Sequence, residues 1–141
     1  MFRTLFVDLL LTLAYAGVGL VLMALGYLLV DLVTPGKLHE LIWAQRNRNA
    51  TVLLASNLFA VGTIVVAAIA AGENSFVTGL VGTAGYGLLG LLVMAVSFVL
   101  LDAVTPGHLG DILVDREPHP AVWVSATIHV ATGAIVAAAI S

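Results

Sequence analysis

Four long runs of apolar residues, separated by polar connections, dominate the chain. They cover residues 5–33, 50–71, 76–104 and 121–140. Each run exceeds the roughly 18 residues that indicate a membrane-spanning helix, so the pattern predicts an all-α membrane protein with four transmembrane helices. The first and third runs would form helices about 43 Å long, whereas the hydrocarbon core is about 30 Å thick. We therefore expect these two helices to tilt or to project beyond the bilayer.

The polar connections divide into one short and two long segments. Residues 72–75 form a tight polar hairpin between the second and third runs. Residues 34–49 and 105–120 are longer and hold most of the charged residues. The two long connections should therefore lie in the polar region on one side of the membrane.

The composition excludes several classes of protein. Apolar residues make up 61% of the chain, compared with roughly 45–50% in a soluble domain. Charged residues make up 9%, compared with roughly 25% in a globular protein, which argues against a soluble enzyme and against disorder. The net charge of −3 is too small and too scattered to predict nucleic-acid binding. Because there is no cysteine, disulfides, thiol catalysis and iron–sulfur ligation are excluded.

The start of the chain allows two interpretations. Arg3, an apolar run and the small residues around Ala14 and Ala16 resemble a secretory signal with its cleavage site. Asp8 interrupts that run, however, and the apolar stretch continues without a pause to residue 33. These features favour an uncleaved first helix.

The distribution of basic residues predicts the orientation. Arg3 is the single basic residue outside the long connections, which contain Lys37, Arg46, Arg48 and Arg116. Cytoplasmic loops carry an excess of Lys and Arg. We therefore predict a multi-pass protein of the bacterial plasma (inner) membrane with both long connections in the cytoplasm and both termini outside.

The chain contains an internal duplication with an offset of 71 residues. Val30–Leu38 aligns with Leu101–Leu109, and both segments carry the pattern Asp-x-x-Thr-Pro-Gly. About 22 of the 59 aligned positions are identical between residues 12–70 and 83–141. This predicts two repeats, 1–71 and 72–141, that together form one membrane domain. Each repeat is a helical hairpin, so the copies should have the same orientation and be related by an axis along the membrane normal.

The repeat motif resembles that of a known family. The duplicated Asp-x-x-Thr-Pro-Gly unit, followed by Asn49-Ala50 and Gly62, is similar to the YjfL-like bacterial inner-membrane proteins, a family of unknown function. The resemblance implies a four-helix plasma-membrane protein with no established reaction. Genes of that family often neighbour polyamine-synthase-like genes, which suggests a context rather than a chemistry. The second repeat departs from the pattern, because Pro120-Ala121 replaces Asn49-Ala50.

The Thr-Pro-Gly motifs predict helix starts. They consist of Thr34, Pro35 and Gly36 and of Thr105, Pro106 and Gly107. Thr suits the N-cap and Pro the first helical position. Apolar residues then recur at the helical spacing of three and four, namely at Leu38, Leu41 and Ile42 and at Leu109, Ile112 and Leu113. We predict short amphipathic helices in the membrane interface, which serve either as a lipid or partner dock or as a turn that leaves the bilayer and returns.

Asp31 and Asp102 occupy an unfavourable place for a carboxylate. Each lies in the final turn of a predicted helix, where the helix already carries about half a negative charge. The same placement in both repeats predicts compensation by a basic side chain of the loops, by a bound cation or by protonation of the carboxylate.

Polar residues inside the predicted spans need an explanation, because they are costly in the bilayer. His129 lies near the centre of the fourth span, and Asn57 lies at the corresponding depth of the second. They could form a relay for protons or solutes, together with Asp31 and Asp102. The alternative is that they form interhelical hydrogen bonds that hold the bundle together.

The sequence contains no arrangement of residues that predicts catalysis. No pair of loop histidines has the spacing of a helical metal site, and we predict neither a metal nor a cofactor. Stripes of mostly small residues predict close helix packing, and they comprise Gly79, Thr83, Tyr86 and Gly90 on the third span and Ala126, Val130, Ala134 and Ala138 on the fourth. The favoured hypothesis is a non-enzymatic membrane component that contacts the lipid bilayer and binds itself or another membrane protein. The alternative is a small oligomeric transporter or channel for a cation or polyamine-like solute.

Overall fold

The computed structural model describes residues 1–72 and 75–141 and is all-helical over that range. Its elements are α1 (Phe2–Val33), a π-helical turn (Glu40–Ala44), α2 (Arg48–Ala70), α3 (Phe76–Val104), α4 (Leu109–Val114) and α5 (Pro120–Ile140). α1, α2, α3 and α5 are long and apolar enough to cross a membrane. The predicted fold class and the four spans are confirmed. The predicted hairpin at 72–75 lies partly outside the described residues, which do not include Glu73 and Asn74.

The Thr-Pro-Gly motifs end helices rather than begin them. Thr34 and Thr105 are the C-caps of α1 and α3, with extended backbone at φ −96°, ψ 125° and φ −81°, ψ 126°. The prediction that they are N-caps is therefore wrong. A residue that precedes proline is excluded from the helical region by the proline ring, which forces the helix to stop. Each threonine hydroxyl instead donates to the carbonyl four residues earlier, that of Val30 or Leu101, at 2.7 Å.

Glycine then redirects the chain at both motifs. Gly36 has φ +88° and Gly107 has φ +83°. These angles lie in the left-handed region, which residues with a Cβ rarely adopt. The two halves of the chain therefore make the same turn at residues that the proposed duplication aligns.

The bundle is organised around α2, which packs against α1, α3 and α5, and most extensively against α5. Small residues allow these approaches. A Cβ on Gly133 of α5 would lie 2.7 Å from the Cα of Ala60, and a Cβ on Gly90 of α3 would lie 2.6 Å from Ile64. Most of the predicted stripe on the third span is therefore buried inside the chain. On the fourth span Ala126 is buried, whereas Ala134 and Ala138 are exposed.

The buried core has two parts along the membrane axis. The part farther from the long connections is an apolar cluster of Leu22, Ala60, Val61, Ile64, Val65 and Met94. The part nearer to them includes residues of the connections themselves, namely Leu38, Leu41, Leu109 and Leu113. The connections thus fold back onto the bundle, and their apolar faces contact protein rather than the bilayer interface. This differs from the predicted interfacial helices, because periodicity identifies an apolar face but not what covers it.

Candidate functional site: two matched turns and a buried polar cavity

The carboxylates of Asp31 and Asp102 bind backbone N–H groups in matched geometry. Asp31 Oδ1 accepts from the N–H of Leu38 at 2.8 Å, and Asp102 Oδ1 accepts from the N–H of Leu109 at 2.7 Å. The first N–H groups of a helix have no partner within that helix, and an anionic acceptor binds them well. Each carboxylate therefore interacts unfavourably with the dipole at the C-terminus of its own helix, but it stabilises the start of the segment after the turn.

The compensation predicted for these carboxylates comes from the backbone rather than from a basic loop residue. Among the described residues, no lysine or arginine nitrogen lies within 4.0 Å of either carboxylate. Lys37 Nζ instead lies 3.7 Å from Glu40. His108 Nδ1 lies 3.6 Å from Asp102 Oδ2 and is the one basic nitrogen within 4.0 Å of either carboxylate in the part of the chain that the structure describes. Both aspartates are thus bound within their own turns.

Two asparagines at the start of α2 join the long connections to each other. The Nδ2 group of Asn49 donates to the carbonyls of Glu117 at 2.8 Å and of Ile112 and Asp115 at 3.2 Å. Asn47 Nδ2 also donates to Asp115 at 3.1 Å. These carbonyls lie at and beyond the C-terminus of α4, where a helix leaves acceptors without partners. Asn49 is buried, whereas Asp115 and Glu117 are exposed, so the link lies at the edge of the bundle.

Sequence reasoning did not identify this link, although the sequence contains a signal of it. At the offset of 71 residues, Asn47 and Asn49 align with Pro118 and Pro120. The first repeat therefore has amide donors where the second has residues without an N–H. The asymmetry indicates that the two asparagines bind something that the prolines cannot.

Asn57 and His129 line one small internal cavity, which we call the His129 cavity. Its volume is about 90 Å³, and its lining is otherwise apolar and includes Leu29, Met94 and Phe98. Asn57 Nδ2 donates to the carbonyl of Gly26 on α1 at 2.9 Å, which is an interhelical hydrogen bond of the predicted kind. His129 Nδ1 is buried and has no partner among the described residues. The Phe98 ring stacks on the imidazole, with centroids 6.4 Å apart and planes at 24°.

A second and larger space opens beside the Asp102 turn, and we call it the loop-side cleft. It has a volume of about 450 Å³ and is lined by Val33, Pro35, Phe98, Val99, Asp102, His108, Gly110 and Asp111. Gly110 permits the close contact of α4 with the first turn, because a Cβ there would lie 2.9 Å from the carbonyl oxygen of Val33. The cleft thus combines carboxylates and an imidazole at its polar end with apolar walls toward the bundle.

The four polar residues predicted to form one intramembrane site fall into three places. Asn57 and His129 share the His129 cavity, Asp102 lines the loop-side cleft, and Asp31 lines neither space. No hydrogen bond between described residues joins the two aspartates. The residues described contain no group of three or more His, Asp or Glu that could hold a metal ion. The arrangement offers neutral hydrogen-bonding groups inside the bundle and negative charge at one end of it.

Comparison with known proteins identifies the family. The family described as Domain of Unknown Function (DUF350) matches residues 4–140. The UPF0719 transmembrane protein of Mycolicibacterium paratuberculosis is 34% identical over 130 residues, which cover 92% of this chain and 86% of the relative. The UPF0719 transmembrane proteins of Mycobacterium bovis and Mycobacterium tuberculosis are 35% identical with the same coverage. No solved structure matches. Because the match covers residues 4–140 and so includes all four long helices, the chain belongs to the DUF350 family.

Proposed function

We propose that this protein is a non-enzymatic, multi-pass component of the bacterial plasma membrane that associates with further copies of itself through α1. The observation that carries the proposal is the first part of α1. All residues from Met1 to Leu10 are exposed, whereas the rest of α1 buries Gly19, Leu22, Gly26 and Val30 against the bundle. The proposal assigns a binding role to this unpaired segment.

The length of α1 explains why this segment needs a partner. Its 32 residues span about 48 Å, and the 23 residues of α2 span about 35 Å. The bundle alone therefore reaches across a hydrocarbon core of about 30 Å. The first ten residues are exposed on all sides, so Phe2, Phe6 and Leu9 are available to a second chain.

One stripe of exposed residues on α1 has a spacing that suits a second copy of the same helix. Six of the exposed residues recur at alternating intervals of four and three and form what we call the outer stripe, which comprises Phe2, Phe6, Leu9, Leu13, Ala16 and Leu20. An apolar repeat with this heptad period is typical of helices that pair in parallel as coiled coils. Copies in one membrane have the same orientation, so their outer stripes can meet in register. The outer stripe is therefore compatible with a parallel pair of α1 helices.

Disulfide cross-linking tests the proposal directly, because the natural chain contains no cysteine. Phe6→Cys and Leu13→Cys place a thiol on the outer stripe, and Val7→Cys places one on another exposed face of the same helix. Oxidation in native membranes should convert the two stripe variants to disulfide-linked dimers and leave the Val7 variant largely monomeric. Equal cross-linking at all three positions would indicate random collision, and no cross-linking at any would indicate that α1 is covered by lipid or by another protein. Either result would overturn the proposal.

The alternative function is transport of a cation or polyamine-like solute, and the loop-side cleft is the observation that favours it. Its carboxylates, Asp102 and Asp111, would attract cations. The space does not continue as a polar path through one chain, because Met94 and the apolar cluster around it lie beyond the His129 cavity. Conduction would therefore need a path between copies. Liposomes that contain the purified protein should then show a cation flux that Asp102→Asn reduces, and the absence of flux would reject this alternative.

Three finer statements belong to the proposal. The cytoplasmic placement of the long connections is supported by the basic residues in them. The division into repeats at 1–71 and 72–141 is supported by the matched bonds of Asp31 and Asp102. The affiliation with YjfL-like proteins is supported by the Asp-x-x-Thr-Pro-Gly motif in both halves.

A further inference from the structure

We propose that the His129 cavity is a water-binding site and that water reaches it from the loop-side cleft past the Phe98 ring. The site is independent of self-association through residues 1–10, because its lining comes from the later part of α1 and from α2, α3 and α5 of one chain. It would give the bundle a hydrated imidazole that is accessible from one side of the membrane only.

The first reason is an unpaired polar atom beside an empty space. His129 is only 2% exposed, and its Nδ1 has no hydrogen-bond partner in the part of the chain that the structure describes. Buried polar atoms are normally paired, with protein or with ordered water. The cavity of about 90 Å³ has room for about three water molecules at roughly 30 Å³ each.

The second reason is the chemistry of the lining. Asn57 and His129 are its polar residues, the other seven are apolar, and no carboxylate is among them. A cation would lose its hydration there without a negative charge to compensate. Water both donates and accepts hydrogen bonds, so it can pair with either nitrogen of a neutral imidazole and with the Asn57 amide. The lining therefore favours water over an ion.

The third reason is the continuity of the two spaces. The loop-side cleft and the His129 cavity share the lining residues Val33, Phe98 and Val99. Phe98 lines both spaces and its ring stacks on His129, so we assign to this ring the boundary between the imidazole and the cleft. Ring rotation would connect the two spaces without any movement of the backbone.

The spacing along α3 gives this route a direction. Met94, Phe98 and Asp102 follow one another at intervals of four residues and therefore lie on one face of the helix. Asp102 lines the cleft, Phe98 lines both spaces, and Met94 lines the far wall of the cavity. Met94 is fully buried in the apolar cluster. The route thus ends at Met94 and opens toward the long connections.

Magnetic resonance of the imidazole tests for water in the site. Protein labelled with ¹⁵N-histidine and reconstituted in lipid bilayers should transfer magnetisation from water to the His129 ring, and His129→Gln identifies that signal by removing it. If the other histidines show transfer but His129 shows none, the cavity is dry and the proposal is wrong.

Histidine modification tests the route. His39, His108 and His119 are exposed and serve as internal references within the same chain. With diethyl pyrocarbonate and site-resolved mass spectrometry, His129 should be protected in the natural protein, and Phe98→Ala should raise its modification several-fold relative to the references. Met94→Ala is the matched control, because it enlarges the same cavity at the closed end and should leave His129 protected.

The outcomes separate a gate from general loosening of the bundle. A rise in both variants would mean that truncation loosens the bundle, and a rise in neither would mean that Phe98 does not control access. Both results would overturn the route. If Phe98→Ala does not fold, Phe98→Trp provides the test, because the larger ring should slow transfer from water to His129 several-fold. Unchanged transfer in that variant would also overturn the route.

Discussion

Gly133→Ala should destabilise the bundle at the contact between α2 and α5. The added Cβ would lie 2.7 Å from both the Cα and the Cβ of Ala60 and 3.0 Å from its carbonyl oxygen. Carbon atoms pack best at about 3.5–4.0 Å, so the helices would have to separate by roughly 1 Å. Ala60 Cα and O are backbone atoms, so no rotamer change can relieve the overlap. Overpacking of this kind costs about 1–3 kcal/mol.

Gly62→Ala is the matched control, because Gly62 occupies the equivalent position at the offset of 71 residues. A Cβ there would meet nothing within 4 Å. Replacing glycine by alanine in a helix adds up to about 1 kcal/mol of stability in both variants, so this contribution cancels between them. The difference in the free energy of unfolding should therefore equal the packing cost of about 1–3 kcal/mol.

Unfolding in mixed micelles, followed by circular dichroism as sodium dodecyl sulfate is added, measures this difference. The Gly133 variant should unfold at a lower fraction of the denaturing detergent than the natural protein, and the Gly62 variant at the same or a higher fraction. Equal stability of the two variants would refute the close backbone contact between α2 and α5. It would also refute the inference that glycine is required at residue 133.

Three further predictions concern the loop side of the bundle. Asn49→Ala should reduce stability by about 0.5–1.5 kcal/mol, because it removes the buried amide that donates to carbonyls of the second long connection. Arg48→Ala at the exposed neighbouring position should have little effect in the same unfolding assay. Asp31→Ala and Asp102→Ala should each lower stability by about 0.5–2 kcal/mol, whereas the Asn variants keep an acceptor oxygen and should lose less. If added cations changed the thermal unfolding of the natural protein but not that of the variants, the role of the backbone N–H groups as the partners of these carboxylates would be contradicted. A cysteine at Gln45 should be protected from an impermeant thiol reagent in intact cells and one at Asn74 should react, and the reverse labelling would show that the long connections face outside.

The membrane itself explains how much of the fold could be predicted. A segment in the bilayer must satisfy its own backbone hydrogen bonds, so a long apolar run has to be a helix. The third predicted span, residues 76–104, coincides with α3, and the other three differ from the observed helices by at most three residues at either end. The ends of α1 and α3 were predicted from where the apolar runs stop. The Thr-Pro-Gly motifs were wrongly predicted to start helices, although proline at residues 35 and 106 stops the preceding helix through local sterics.

The hydrogen-bond partners of the two aspartates could not be predicted from the sequence. The sequence indicated that Asp31 and Asp102 needed compensation, but it did not identify the partner. That partner is a backbone N–H seven residues later, and it becomes available only because glycine with positive φ turns the chain back. A count of charged residues does not include backbone dipoles, so the prediction considered basic side chains, cations and protonation but not a backbone N–H.

Tertiary structure alone decided which distant residues meet. Asn49 binds carbonyls between 63 and 68 residues away, and Phe98 stacks on His129 from another helix. Periodicity determines that a residue faces inward, but the rotation and depth of each helix determine what it faces. In this bundle those two quantities follow from contacts of glycine and alanine, such as Gly133 with Ala60, whose effect depends on distances of a few tenths of an ångström. The sequence by itself therefore determined the long helices and the polar residues within them. Packing of the helices decided that one of these polar residues, His129, lines a cavity and stacks against Phe98.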